Sequence, residues 1–230
     1  MNDDSRDYTP PTTSVGDRFH TLAKAVLSSV PVVGGAASEL FHTIVTPPLE
    51  KRRSKWMEEV GIGLAKLEQN GVLKLNDIIE NEVFISTLMS ASQSALITHQ
   101  KEKLEALKNA AINSVLPGAP EESTQQIFIN LVDRYTEWHI RILRLFNSPP
   151  KYSEIISGAL EHILHKEYPE LMGHRSFYDL IWKELYDNGL VHSQSLHVMM
   201  SGSGLSESQS THLGKKFLRF ISTNTGDANE

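Results

Sequence analysis

The residues best suited to chemistry in this chain are three histidines in its second half, His162, His165 and His174. Residues three apart lie on one face of a helix, so the first two imidazoles are spaced to share a metal ion. No carboxylate stands at the spacing that would complete a zinc-protease or two-metal site. With 10 histidines among 230 residues, such a pair also arises by chance. The sequence therefore predicts neither a metal site nor a cofactor.

Other catalytic chemistries find little support in the residues. The chain has no cysteine, which excludes thiol catalysis, cysteine-ligated zinc and a disulfide framework. Gly34 and Gly35 lack the lysine and the spacing of a phosphate-binding loop. The SGSG segment at 201–204 lacks the strand-to-helix turn that activates a hydrolase serine. No small-molecule substrate is evident, and a non-enzymatic protein is predicted.

Arg134 and His139 enclose the stretch YTEW. This R-x4-H spacing resembles that of the helical ribonucleases of the HEPN family. The resemblance implies that the two side chains flank a phosphate at a dimer interface. Tyr135 departs from the family pattern, in which a polar residue usually follows the arginine, and five residues of helix turn the two side chains about 140° apart. A core histidine is the simpler interpretation of His139, and the ribonuclease stays an alternative.

Apolar residues recur at helical spacing through most of the chain, which predicts helices rather than strands. Pro47 and Pro48 are placed to open a helix over about 49–70, which Gly71 ends. The D-x-x-E box at 77–80 predicts a second helix start.

Capping signals place the later helices. The S-x-x-Q box at 123–126 predicts the start of a long core helix that continues to Phe146. Pro149 and Pro150 end it and mark the expected domain boundary. Ser153 and Ser176 are the predicted caps of the next two helices.

The end of the chain, 177–221, follows a different order. A helix closes at Gly189, an alternating strand follows over 196–200, and SGSG supplies a turn. The next residues, SESQS, make a poor return strand. A final amphipathic helix begins at Thr211. This order is typical of the last half of a winged helix.

The side chains of these last two helices are assigned by periodicity. The buried stripe of the final helix is predicted to consist of Leu213, Phe217, Phe220 and Ile221. Its outward cations are candidate binding residues: Lys215, Lys216 and Arg219. The preceding helix carries aromatic residues that are predicted to be exposed, for packing or for a partner: Phe177, Tyr178, Trp182 and Tyr186.

The predicted fold is mainly α, with a multi-helix domain followed by a winged-helix-like module that contains one small β-hairpin. The expected divisions are a disordered leader over 1–17, a helical domain over 18–147, the winged-helix-like module over 151–222 and a disordered tail over 223–230. The leader is acidic and has no apolar core, so it is not a secretory signal.

This layout resembles a broad set of uncharacterised bacterial helical proteins with a winged-helix end, similar to the abortive-infection alpha group. The likeness covers roughly 31–221 and consists of GLV, the hairpin and T-x-L-G-x-x-F-L-x-F-I, preceded by LVDRYTEWHIRILRLFNSPP. It implies a bacterial, cytoplasmic protein with a part in phage defence. It supplies no catalytic residues.

The distribution of charge bears on two further alternatives, nucleic-acid binding and membrane association. The net charge of −6 gives no global attraction to nucleic acid, and the stretch 151–230 carries seven basic and ten acidic residues. A DNA-binding winged-helix regulator therefore needs a local basic patch. A membrane-surface effector is a further alternative through 25–55, where an apolar stretch too short to span a bilayer precedes a basic cluster of candidate binding residues. That cluster consists of Lys51, Arg52, Arg53 and Lys55.

By elimination, the sequence predicts an interaction or regulatory protein. Its partner is expected to be another protein or a second copy of the chain, since several surfaces are available and no pocket chemistry is evident.

Overall fold

The computed structural model describes residues 36–223, with side chains from residue 48 onward. Within this part the chain forms ten α-helices and one two-stranded antiparallel sheet, which confirms the predicted mainly α class. The first six helices are α1 Ala36–Gln69, α2 Leu75–Ile78, α3 Glu82–Ile97, α4 Lys101–Asn113, α5 Glu122–Arg134 and α6 Glu137–Asn147. The later elements are β1 Ser157–Ala159, α7 Leu160–Glu167, a 3-10 turn Pro169–Leu171, α8 Arg175–Asp187, β2 Met199–Ser201, α9 Gly202–Leu205 and α10 His212–Ile221.

Several predicted features lie outside the described residues. They are the leader over 1–17, the helices expected between 18 and 35, and the tail from residue 224 onward. The division into domains also stays a prediction. Among the described residues, no helix combines the length and the apolar character needed to cross a bilayer.

Helix α1 ends where the sequence predicts but begins earlier. Gly71 adopts a left-handed φ of 71°, and its N–H donates to the Glu68 carbonyl at 2.9 Å, so glycine closes the helix. The start lies at Ala36 rather than near Leu49, with the two prolines inside the assigned helix. Residues from Arg53 onward belong to one compact unit, in which the Trp56 indole N–H donates to Ser92 Oγ at 2.9 Å.

Two predicted helix boundaries are wrong. The box at 77–80 does not start α3. Asn81 does so, because its backbone is extended and its Oδ1 accepts the Phe84 N–H at 3.0 Å. The predicted helix from 123 to 146 is two helices, α5 and α6, because Tyr135 and Thr136 are extended. Thr136 begins α6, and the side chain of His139 accepts its backbone N–H at 3.2 Å.

The segment that follows α6 also differs from the prediction. Ser153 does not cap a helix, since 157–159 form β1 and α7 begins only at Leu160. Ser176 lies inside the first turn of α8, for which His174 is the N-cap residue. Backbone carbonyls accept the N–H groups that the two serines were expected to cap: Ile155 N–H donates to Tyr152, and Tyr178 N–H donates to His174, each at 3.2 Å.

The small sheet joins segments that are distant in sequence. β2 pairs with β1, with Ala159 opposite Met199 and Ser157 opposite Ser201, so the expected return strand after SGSG is not its partner. Glycine at 202 explains the difference. A Cβ there would lie 2.3 Å from the Ile155 carbonyl oxygen, and the Gly202 N–H donates to the Ile156 carbonyl at 2.7 Å. The chain then turns directly into α9.

The final helix is held against the helical core. Phe217 is fully buried and its ring meets that of Phe128 edge-on at 5.2 Å. Asn113, the last residue of α4, donates to the carbonyls of Phe220 and Ser222, each at 2.8 Å, and so satisfies the end of α10. Leu213 was predicted to belong to the buried stripe of this helix, and that prediction is wrong because its side chain is 38% exposed.

Candidate binding cleft

The candidate binding residues of the last helix line a cleft, called here the basic cleft. Helix α10 and the loop after α4 form it, and its volume is about 210 Å³. Lys215 and Arg219 are exposed, whereas Lys216 is half-buried. The complete lining is Asn113, Leu116, Pro117, Gly118, Ala119, Pro120, His212, Lys215, Lys216, Arg219 and Phe220. The basic cleft therefore combines three permanent cations with an apolar loop.

Close backbone contact fixes the position of α10. Gly214 faces the carbonyl of Leu190, and a Cβ at this position would lie only 2.1 Å from that oxygen. Thr211 caps the helix through its hydroxyl, which accepts the Gly214 N–H at 3.0 Å and donates to the Gly189 carbonyl at 2.6 Å. Val191 also forms a bridge with Ser210. These contacts explain why the residues of the GLV and T-x-L-G motifs are suited to their positions.

Hydrogen bonds from a buried side chain hold the loop after α4, which forms the other wall of the cleft. Gln125 is buried, and its amide donates to the Pro120 carbonyl at 2.8 Å, while its Oε1 accepts the Thr87 hydroxyl at 2.8 Å. Gly118 has a φ of 81°, which glycine adopts without strain, and the Ala119 N–H closes the turn on Leu116 at 3.0 Å. The loop is thus a defined wall rather than a free connection.

The charge of the basic cleft is uncompensated. None of its lining residues is acidic, and within the described part of the chain none of its three cations forms an ion pair. The cations of α8 differ in this respect: Lys183 lies 2.5 Å from Asp187, and Arg175 lies 3.3 Å from Asp179. Lys–Arg neighbours three and four apart on one helix also repel each other. Such an arrangement is suited to an anionic ligand.

The first basic cluster lies apart from this cleft in sequence and on helix α1. Lys51 and Arg52 are exposed and Arg53 is half-buried. Lys55 faces Glu59 one turn later, with Nζ 3.7 Å from the carboxylate oxygen. None of these residues lines the basic cleft.

The contacts of Arg134 and His139 are structural. Arg134 is exposed at the end of α5 and donates to Asn188 Oδ1 at 3.3 Å. His139 is buried, with its Nε2 3.1 Å from Glu184 Oε2 and its other ring nitrogen engaged by Thr136. Burial lowers the pKa of His139, against the opposing effect of Glu184. Both ring nitrogens are therefore occupied in the fold.

The three histidines of the metal hypothesis have separate surroundings. His162 Nδ1 accepts the Ala159 N–H at 3.0 Å, which caps α7. His165 meets the Tyr178 ring edge-on at 5.3 Å, and His174 is the N-cap residue of α8, where its side chain makes no capping hydrogen bond. Among residues 36–223, no group of three or more histidine, aspartate or glutamate side chains is arranged to hold a metal ion.

A fourth histidine forms a cluster that the sequence analysis missed. His197 Nδ1 lies 2.8 Å from Glu161 Oε2, and its Nε2 lies 2.7 Å from Asp179 Oδ1. The Tyr178 hydroxyl donates to the same Glu161 oxygen at 3.2 Å. His197 thereby links α7, α8 and the segment before β2. In the sequence His197 lies within the alternating pattern over 196–200, and its carboxylate partners are distant in sequence, so no local signal marks this cluster.

The predicted exposure of the α8 aromatics is half right. Phe177 is 40% exposed and Tyr186 is 37% exposed. Tyr178 and Trp182 are buried, so their predicted exposure is wrong. The Trp182 indole N–H donates to the Ser193 carbonyl at 3.0 Å, which satisfies its polar group inside the core.

Comparison with known proteins gives no relative: no known family, no curated protein and no solved structure matches this chain.

Proposed function

We propose that this chain is a non-enzymatic interaction or regulatory protein that binds an acidic segment of a partner protein in the basic cleft. The observation that carries the proposal is the uncompensated charge of Lys215, Lys216 and Arg219 in a chain of net charge −6. Electrostatic complementarity steers such an encounter and selects the sign of the partner. The apolar loop beside the cations adds a surface that a protein side chain can contact.

A protein ligand fits better than nucleic acid. Glu121 and Glu122 are exposed directly after Pro120, which lines the cleft, and their carboxylates repel the phosphates of a long polyanion such as a duplex more than they repel a short acidic segment. The exposed cations of α8, Arg175 and Lys183, are already paired with aspartates. The winged-helix-like shape stays part of the proposal, supported by the order β1, α7, α8 and β2, but these paired cations do not favour its use on DNA.

Binding of a polyglutamate peptide tests the proposal. We expect the peptide to bind the wild-type chain in fluorescence anisotropy, and Lys215→Glu/Lys216→Glu to weaken binding by about tenfold or more. Lys101→Glu is the matched control, since Lys101 is also an exposed helical lysine but lies at the opposite end of α4 from Asn113. It should leave affinity nearly unchanged.

Parallel probes distinguish the alternatives. A single-stranded oligonucleotide of equal charge reports nucleic-acid binding, its cleavage reports a ribonuclease, and phosphatidylserine vesicles report membrane association through the α1 cluster. Tighter binding of the oligonucleotide or the vesicles than of polyglutamate would overturn the proposal. So would polyglutamate binding that the double charge reversal leaves intact.

The cellular setting in the proposal is the bacterial cytoplasm and phage defence, which the layout resemblance implies. Its test is the plating efficiency of phage on bacteria that express the chain. We expect fewer plaques with the wild-type chain than with Lys215→Glu/Lys216→Glu at equal protein level. Equal plating would remove phage defence from the proposal and leave the binding function to the peptide assay.

A further inference from the structure

The spacing of the cations in the basic cleft matches that of side chains along an extended chain. Lys215 and Arg219 lie four residues apart on α10, which corresponds to about 6 Å along the helix axis. On one face of an extended segment, side chains recur every second residue, about 6.6 Å apart. Carboxylates at alternate positions of such a segment can therefore meet both cations at once.

The two walls of the basic cleft also favour an extended ligand. The cations lie on α10, and the apolar residues lie on the loop at 116–120. An extended segment directs alternate side chains to opposite faces, so it can contact both walls at once.

The apolar loop of the cleft determines which residues of the ligand are favoured between its acidic positions. In an extended segment, the intervening side chains point away from those that face α10. The loop after α4 offers these side chains an apolar surface made by Leu116, Pro117 and Ala119. A small apolar residue makes this contact without burying a polar group, which would cost free energy without a partner.

We propose that the basic cleft selects an extended protein segment in which acidic residues alternate with small apolar residues. Lys215 and Arg219 bind the acidic side chains, and the loop at 116–120 contacts the apolar ones. This specificity rests on the proposed function, because it requires that the ligand is an acidic segment. It adds a sequence pattern to what charge alone selects.

Two peptides of identical composition and charge test the pattern. The probes are an acetylated, amidated Asp-Val-Asp-Val-Asp peptide and its block isomer Asp-Asp-Asp-Val-Val. Their dissociation constants are measured by competition against the labelled polyglutamate peptide at low salt. We expect the alternating peptide to bind about tenfold more tightly, because the residue between its paired carboxylates is an apolar valine, whereas in the block isomer it is an aspartate that faces the apolar loop.

Variants connect this preference to the named residues. Arg219→Gln should weaken the alternating peptide and narrow the difference between the two probes, while Pro117→Ser should weaken the alternating peptide alone. Lys101→Gln should change neither affinity. Equal affinities of the two isomers for the wild-type chain, or an unchanged preference in both cleft variants, would overturn this specificity while the proposed function stands. Failure of polyglutamate and both isomers to bind would overturn the proposed function itself.

Discussion

At the scale of single residues, His139 shows how a motif match acquires a structural explanation. The Thr136 N–H points at one ring nitrogen, which must accept, and Glu184 faces the other, which can donate. This pattern requires the neutral imidazole. A second proton would remove the acceptor of the Thr136 N–H at the start of α6.

The pH dependence of stability checks this assignment. Because burial lowers the pKa of His139 in the fold, the unfolded chain takes up the proton more readily. Its contribution to stability is present above the unfolded pKa of about 6.5 and is lost as pH falls below it. We expect the melting temperature to fall less steeply from pH 7 to pH 5 in His139→Gln, whose amide preserves the capping interaction.

The control for this series is His192→Gln, at an exposed ring, which should keep the wild-type slope. Identical slopes for wild type and His139→Gln would mean that His139 does not titrate differently in the two states.

Phe217 carries the packing prediction at this scale. Its ring is fully buried against Phe128 and Tyr135, at centroid distances of 5.2 and 6.3 Å. Phe217→Ala should cost about 3 to 5 kcal/mol in the free energy of unfolding, through lost apolar burial and the cavity left behind. Lys215→Ala, on the exposed face of the same helix, should change it by less than about 0.5 kcal/mol. Urea denaturation measures both values.

At the scale of elements, two helical glycines have opposite surroundings. A Cβ at Gly214 would lie 2.1 Å from a backbone carbonyl oxygen, which cannot give way as a side chain can. Gly214→Ala should therefore displace α10 and destabilise the protein. At Gly61 in α1 nothing lies within 4 Å of the added Cβ, so Gly61→Ala should stabilise by roughly 0.5 to 1 kcal/mol. Thermal unfolding of the two variants gives the signs, and a stabilising Gly214→Ala would contradict this packing.

The same elements show what the sequence can predict. Local signals located Gly71, Gly189 and Thr211 correctly, because each acts within a few residues of its own position. The break after Arg134 was missed although Thr136 and His139 carry its capping signal, since an unbroken apolar stripe runs through both helices. β1 was missed because its partner, β2, lies far along the chain and no local pattern announces it.

His197 supplies the second prediction at this scale. Its ring stands between carboxylates of α7 and α8, so His197→Ala leaves Glu161 and Asp179 without their shared partner. We expect faster amide hydrogen exchange at Glu161, whose N–H donates to Leu196, and at Gly202, whose N–H donates to Ile156.

His192→Ala serves as the comparison for this exchange experiment, because its ring is exposed. Protection at residues 161 and 202 that is equal in both variants would show that β-pairing alone holds the segment before β2.

At the scale of the whole molecule, the cations of the basic cleft are proposed to serve ligand binding rather than the stability of the fold. The sequence identified Lys215, Lys216 and Arg219 as outward cations. The exposure of Lys215 and Arg219 on α10 agrees with that periodicity, whereas Lys216 is half-buried. The sequence did not predict the cleft, since the loop at 116–120 approaches α10 only through the packing of α4. A candidate site built from two distant segments is visible only in the folded chain.

Salt should act in opposite directions on the two properties of the basic cleft. The Debye length falls from about 10 Å at 0.1 M to about 3 Å at 1 M salt, so polyglutamate affinity should decrease as salt is raised. Screening also relieves the repulsion among Lys215, Lys216 and Arg219, each neighbouring pair of which costs about 0.2 to 0.5 kcal/mol. Lys215→Gln/Lys216→Gln should therefore bind polyglutamate less tightly, with a shallower salt dependence, and yet unfold at an equal or higher temperature at low salt. Anisotropy titrations and thermal melts on the same samples measure both quantities. A double variant that loses affinity and stability together would show that these cations stabilise the fold, and their role as an unoccupied ligand surface would be wrong.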